Sequence, residues 1–137
     1  MSQHKTDREL IAAALAVRQR AYAPYSGFLV GCVVRAGEEL FAGANIENAS
    51  YGLTICAERT ACANAALGGQ RHVDVAVVAS ESSPPVSPCG MCLQTLIEFS
   101  TDPRQTRIIL INPMGERRDF VLADLIPHSF NKSDLDK

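Results

Sequence analysis

Cys56-Ala57-Glu58, together with Pro88-Cys89-Gly90-Met91-Cys92 further along the chain, carries most of the information in this sequence. Three cysteines can hold Zn²⁺ as thiolates and leave the fourth tetrahedral position open to water, which is the arrangement of a catalytic zinc. Glu58 follows the first thiol closely, so it can exchange protons with that water without binding the metal. The pattern predicts one zinc ion per chain, with Cys56, Cys89 and Cys92 as its ligands.

A structural zinc site and a redox pair are the alternatives for the Cys-x-x-Cys at Cys89 and Cys92. A closed structural site needs a fourth protein ligand, and the sequence has no second Cys-x-x-Cys. A redox pair usually begins a helix directly after a strand, whereas this pair follows the Pro/Ser-rich segment 82–88. We keep both as lesser alternatives and favour the catalytic zinc.

The size and composition of the chain predict one globular domain over residues 1–137. Hydrophobic residues make up 47% of it and charged residues 20%, values typical of globular proteins. The longest apolar run, 10–17, is far too short to cross a membrane, and the charged residues ahead of it argue against a signal peptide. Five cysteines, an odd number, favour a reducing cytoplasm. Cys32 and Cys62 lie in apolar segments, where we expect them to be core residues.

The charge of the chain argues against a nucleic-acid partner. Its net charge is −2, whereas proteins that act on nucleic acid need a basic path for the phosphates. The paired arginines at 104/107 and 117/118 have acidic residues nearby. A small-molecule substrate is therefore expected in place of a nucleic acid.

The hydrophobic pattern predicts a three-layer α/β/α sandwich with a mixed sheet of about five strands. A capping box at 6–9 begins the first helix, whose apolar positions continue to Ala21 before Pro24 stops it. Gly68-Gly69 ends an Ala-rich helix that starts at Cys56. The remaining elements are expected to be strands at 28–34, 40–44, 73–79, 107–111 and 120–122, and helices at 89–99 and 123–126.

Both ligand segments lie where a loop enters a helix. Backbone N–H groups and the positive end of the helix dipole favour thiolates there, and Cys89 and Cys92 share one helix face. Three thiolates around Zn²⁺ leave a formal charge of −1. We expect the Arg59 guanidinium to donate to these sulfurs and offset that charge, the alternative being an exposed surface arginine.

Longer segments around these motifs resemble the small, homotetrameric cytidine deaminases, which belong to the zinc-dependent nucleobase deaminases. The resemblance implies the same fold and a hydrolase that converts cytidine and 2′-deoxycytidine to the corresponding uridines in pyrimidine salvage. It follows the family order over most of the chain, through YAPYSGF at 22–28, NIENASYG at 45–52, CAERTA at 56–61, PCGMC at 88–92 and LIPHSF at 125–130.

The resemblance also implies roles for individual residues. Asn45 and Glu47 would bind the ribose hydroxyls, Phe28 would pack against the pyrimidine, and the Ala57 backbone would hydrogen-bond the base. Glu58 would be the catalytic acid and base. Asn48 would also contact the substrate, and Ala49, Tyr51 and Phe130 would reach an active site from neighbouring subunits.

One position departs from the family pattern. Cys92 is followed by Leu93-Gln94, where the family usually has Arg-Gln, so a cation near the zinc cluster or a subunit contact is missing. Two other functions stay open from the residues alone. They are deamination of another cytosine nucleoside, such as a nucleoside antibiotic, and a non-catalytic, zinc-stabilised module that binds nucleosides.

Overall fold

Five strands form one mixed sheet in a computed structural model that describes residues 5–135. The strand order is β2-β1-β3-β4-β5; β3 and β4 are parallel and the other neighbours are antiparallel. The strands are β1 (Gly31–Ala36), β2 (Glu39–Ala44), β3 (Val75–Ala79), β4 (Arg107–Ile111) and β5 (Arg117–Val121). The helices are α1 (Asp7–Arg18), α2 (Ala57–Leu67), α3 (Gly90–Glu98) and α4 (Leu122–Leu125).

Helices cover both faces of the sheet. Alternate residues of β3 and β4 belong to two separate cores, because successive side chains of a strand point to opposite faces. Val77 and Ile109 pack with α1, whereas Val78 and Leu110 pack with α2 and α3. The expected α/β fold with its five-stranded mixed sheet is confirmed.

Two glycines allow helices to approach the sheet closely. A Cβ atom on Gly31 would lie 2.6 Å from the backbone nitrogen of Arg18 in α1. A Cβ on Gly43 would lie 2.6 Å from the carbonyl oxygen of Ala57, at the start of α2. Larger residues would force the helices outward, so these glycines set how closely α1 and α2 pack against the sheet.

The predicted elements are present, and three of them, α1, β1 and β5, have an end that lies three residues from the predicted position. Helix α1 begins as the capping box predicts, with the Thr6 side chain accepting from the Glu9 N–H, but it ends at Arg18 and not at Ala21. Strand β5 starts at Arg117, earlier than predicted. Its charged residues are tolerated because β5 is an edge strand.

Strand β1 starts at Gly31 and not at Phe28, although 28–34 is apolar. The N–H of Phe28 donates to Ser26 Oγ at 3.0 Å and that of Val30 donates to Asn45 Oδ1 at 2.9 Å. Side-chain acceptors thus take the N–H groups that a sheet ladder would need. No helix within residues 5–135 is both long and apolar enough to cross a membrane.

Candidate active site

Three thiols from two helix starts meet at one point. The Sγ atoms of Cys56 and Cys89 are 4.0 Å apart and those of Cys89 and Cys92 are 3.5 Å apart. All three lie within 4.8 Å of one another. Zinc–sulfur bonds of about 2.3 Å in a tetrahedral site put two sulfurs about 3.8 Å apart. The three cysteines are therefore spaced to hold Zn²⁺, as the sequence predicts.

The two helices aim their positive ends at these thiols. Cys56 is the N-cap residue of α2 and Cys89 is that of α3, and neither side chain caps its own helix. Their sulfurs are thus free to bind a metal, while the unpaired N–H groups of the first turns favour negative charge nearby.

The charges of the three clustered thiols favour the binding of a cation. Hydrogen bonds from Cys92 and Cys89, with help from the Arg59 guanidinium, lower the pKa of Cys56 to about 6. The pKa of Cys92 is raised because its proton is held by Cys56, because it is buried, and because Glu58 and Cys56 carry negative charge beside it. Three thiolates repel one another in this arrangement, and a divalent cation removes that repulsion.

Glu58 is a buried carboxyl group beside the thiols. It lies in the first turn of α2 and is 4% exposed. Burial, reinforced by the negative charge at Cys56, raises the pKa of Glu58 to about 7. A carboxyl group with a pKa in this range can both accept and donate a proton near neutrality.

A cavity of about 210 Å³ opens in front of Glu58 and the thiols. Phe28, Val30 and Asn45 contribute one wall, and Val86 and Ser87 contribute another. The remaining lining includes Thr54, Cys56, Ala57, Glu58, Val78 and Cys89. Of the residues predicted to contact substrate or metal, six line this cavity: Phe28, Asn45, Cys56, Ala57, Glu58 and Cys89.

Asn45 and Glu47 are held in place by the 25–30 segment. Asn45 Nδ2 donates to the Phe28 carbonyl at 2.8 Å, and its Oδ1 accepts from the Val30 N–H. The Glu47 carboxylate accepts from the backbone N–H groups of Tyr25 and Ser26 at 3.0 and 3.1 Å and from the Ser26 hydroxyl, which lowers its pKa. Each side chain retains hydrogen-bonding capacity for a ligand.

A second cavity, of about 420 Å³, shares Thr54 with the first. Tyr25, Ser26, Glu47 and Tyr51 also line it. The other predicted substrate residues line neither cavity of this chain: Asn48, Ala49 and Phe130. All three are exposed.

Comparisons with known proteins identify the family of this chain. The family model for the cytidine and deoxycytidylate deaminase zinc-binding region matches residues 4–106. The chain belongs to this family. The matched region includes Cys56, Cys89 and Cys92, and the expectation of zinc is confirmed.

Individual deaminases are similar along nearly the whole chain. The cytidine deaminase of Halalkalibacterium halodurans is 41% identical over 131 residues, covering 94% of this chain and 98% of that protein. That of Sporosarcina psychrophila is 39% identical over 128 residues, covering 93% of both chains. The crystal structure of cytidine deaminase from Burkholderia pseudomallei superposes with a TM-score of 0.87 at 42% identity, covering 92% of this chain and 100% of that one.

Arg59 and Leu93 flank the thiols of this deaminase in different ways. Arg59 Nη2 donates to the Thr54 carbonyl at 2.8 Å, and its positive charge favours the Cys56 thiolate. Its buried Nε has no hydrogen-bond partner among residues 5–135. Leu93 is 7% exposed and packs with Leu96 and Ile97 in the core beneath α3. The position that is usually cationic in the family is thus apolar and buried here.

Asn112 is a supporting residue that the sequence analysis missed. It is 2% exposed, and its Nδ2 donates to the Ser82 carbonyl at 3.0 Å. Arg118 Nη1 donates to the Pro85 carbonyl at 3.1 Å. Both bonds fasten the segment that leads to Val86, Ser87 and the cysteine pair. The sequence offers no signal for them, because Asn112 lies in a turn-forming Asn-Pro-Met-Gly run.

Proposed function

We propose that this protein deaminates cytidine and 2′-deoxycytidine by zinc-dependent hydrolysis, giving the uridines and ammonia. The observation that carries the proposal is Glu58, a buried carboxyl group that faces a cavity beside three clustered thiols. A cavity of about 210 Å³ fits part of a nucleoside, and the adjoining cavity supplies further room.

The chain's own residues would divide the chemistry as follows. Cys56, Cys89 and Cys92 would hold the zinc, which when bound supplies a water of lowered pKa. Glu58 takes a proton from the attacking water and passes it to N3 of the pyrimidine. The same carboxylate then takes the remaining proton from the new C4 hydroxyl group and gives it to the amine, which leaves as ammonia while the C4 carbonyl forms. Arg59 stabilises the thiolates through its positive charge.

Other residues would bind and orient the nucleoside. Asn45 and Glu47 would hold the ribose hydroxyls, for which the free N–H of the amide and the ionised carboxylate are suited. Phe28 lies at the cavity wall, where its ring can pack against the pyrimidine. The Ala57 backbone, at the first turn of α2, would hydrogen-bond the base. Asn48 would support the sugar-binding segment.

The charges around the cavities favour a free nucleoside over a nucleotide or nucleic acid. None of the described residues that line the two cavities is Lys, Arg or His, and Glu47 contributes a negative charge. Arginines outside the cavity lining are engaged in ion pairs as well. Arg107 and Arg117 pair with Asp7, and Arg104 pairs with Asp102. A phosphate would thus meet no cationic side chain in the lining of either cavity.

We also propose that the chain folds as one domain over residues 1–137 and acts as a homotetramer in the cytoplasm. Ala49, Tyr51 and Phe130 would complete the sites of neighbouring subunits, which is consistent with the 75% and 57% exposure of the two aromatic residues. The described cysteines are all free, and free thiols persist in a reducing compartment.

The substrate class can be tested with the purified zinc-bound protein. Cytidine, 2′-deoxycytidine, cytidine 5′-monophosphate and cytosine should be supplied in turn, with ultraviolet absorbance and ammonia release as readouts. We expect rapid turnover of the two nucleosides, with loss of at least about tenfold in kcat/KM for the nucleotide and the free base. Turnover of the nucleotide alone, or of none of the four compounds, would contradict the proposal.

A further inference from the structure

A buried arginine bonds to the two chain segments that lead to these cavity walls. Arg18, the last residue of α1, is 4% exposed. Its Nε donates to the Leu29 carbonyl at 3.0 Å, within the wall that carries Phe28 and Val30. Its Nη2 pairs with the Glu81 carboxylate, at the start of the segment that leads to Val86 and Ser87. One guanidinium thus joins both walls.

The fold forces Arg18 into this position. Leu10, Ala14 and Arg18 follow one another at the i, i+4 spacing of a helix face, and all three are buried. Gly31 allows that face to approach β1 so closely that a Cβ atom there would lie 2.8 Å from the Arg18 Cα. The apolar stripe of α1 therefore ends in a cation, whose burial is costly unless it is hydrogen-bonded.

We infer that Arg18 is a positioning residue for nucleoside binding, which sets the separation of the two cavity walls without touching substrate or thiols. The inference rests on the proposed function, since it concerns the cavity that we assign to the nucleoside. Arg18 reaches Leu29 and Glu81 through different nitrogens of one planar group, which holds two backbone segments in a fixed relation.

The two contacts of Arg18 differ in strength. The Glu81 side chain is 63% exposed, so solvent screens its ion pair with Arg18. The bond to the Leu29 carbonyl is charge-assisted and shielded, and it should contribute more. Loss of Glu81 should loosen one wall, whereas loss of the guanidinium should release both.

Steady-state kinetics with cytidine test this role. Arg18→Met should raise KM by roughly tenfold and change kcat by less than about twofold, because it weakens binding and leaves the proton-transfer group in place. Arg18→Lys, which cannot reproduce both contacts, should give an intermediate KM. Arg8→Met is the matched control, since Arg8 is exposed on the same helix. A merely structural role would reduce the active fraction, lowering apparent kcat at unchanged KM.

Hydrogen exchange supplies a readout that needs no catalysis. Amides in 26–30 and 82–87 should exchange faster in Arg18→Met than in Arg8→Met. Should Arg18→Met fail to fold, Glu81→Gln carries the test. It should raise KM by about threefold and speed exchange in 82–87, whereas 26–30 stays bonded to Arg18 through Leu29. A wild-type protein without turnover would refute the proposed function and leave the exchange test intact. Unchanged exchange in both segments of Arg18→Met, unchanged exchange in 82–87 of Glu81→Gln, or an unchanged KM in an active variant would overturn the inference.

Discussion

Cys56 and Cys62 lie at the start and in the middle of the same helix, yet their surroundings give them opposite chemistry. Neighbouring thiols and Arg59 lower the pKa of Cys56 to about 6. Burial in the core raises the pKa of Cys62 to about 12, and this side chain lies outside the thiol cluster. A metal selects thiolates, so the two cysteines provide a matched pair for testing the ligand set.

Cys56→Ala should abolish zinc binding, whereas Cys62→Ala should retain one zinc per chain. Cys62→Ala should still cost about 1 kcal/mol of stability, since it removes a buried sulfur from the core. Metal analysis of both purified proteins after dialysis checks this. Full zinc occupancy in Cys56→Ala, or zinc loss in a folded Cys62→Ala, would refute the assignment.

The roles of residues could be predicted from the sequence where metal binding or proton transfer requires a particular spacing between residues. Cys56, Glu58 and the cysteine pair follow a pattern that coordination and proton transfer require. Arg18 could not be found that way, because Leu29 and Glu81 reach it only through the fold. Its one sequence signal is a charge at the i+4 continuation of an apolar helix stripe.

At the scale of the elements, Asp7 of α1 forms ion pairs with β4 and with the edge strand β5. Its carboxylate accepts from Arg107 of β4 at 3.0 and 2.7 Å and from Arg117 of β5 at 2.9 Å. The hydrogen bond from Arg107, supported by Arg117, lowers the pKa of Asp7 from 3.8 to about 2. Asp7 also lies in the first turn of α1, where negative charge is favourable.

Asp7→Asn should lower the free energy of unfolding by about 1 kcal/mol at pH 7, a value that allows for solvent screening of a group one-third exposed. Because the folded state lowers the pKa, the ionised group stabilises above about pH 4 and loses this effect as the pH falls toward 2. Urea unfolding should show that the free energy of unfolding of Asp7→Asn differs less from that of wild type at pH 3 than at pH 7. Asp124→Asn, at an exposed site in α4, is the control. A difference that grows on acidification would contradict this account.

Strand β4, whose apolar residues are buried on both faces, has the predicted bounds, and β3 starts two residues later than predicted. Errors arose where local side chains or sheet position outweighed hydrophobicity. Ser26 and Asn45 take N–H groups from 28–30, which keeps that apolar segment out of β1. The Arg117-Arg118-Asp119 run forms an edge strand despite its charges, because Arg117 and Asp119 pair with each other.

For the whole molecule, the exposed aromatic residues bear on assembly. Phe130 is 57% exposed, and its carbonyl accepts from Gln94 Nε2 at 2.6 Å. That bond anchors the backbone to α3 while the ring remains accessible. Subunits that share active sites would bury such rings against a neighbour.

Subunit exchange can test whether sites are shared. Phe130→Ala chains should be weakened, and Glu58→Gln chains should be inactive. Mixing them should raise the activity per Phe130→Ala chain, because a neighbour with an intact Phe130 would complete some sites. A Glu58→Gln/Phe130→Ala double variant is the matched control and should give no gain. No gain from the single variant after verified exchange, or an active monomer in sedimentation, would contradict shared sites.

The most direct test of the account compares wild type with Glu58→Gln, measuring zinc content, thermal stability and cytidine turnover on the same samples. Glutamine preserves the shape of the buried side chain but cannot carry the proton. We expect both proteins to hold one zinc per chain and to melt alike, with kcat lower by roughly 10²-fold or more in Glu58→Gln. Near-normal turnover in zinc-bound Glu58→Gln would contradict the central claim that this carboxyl group performs the proton transfers.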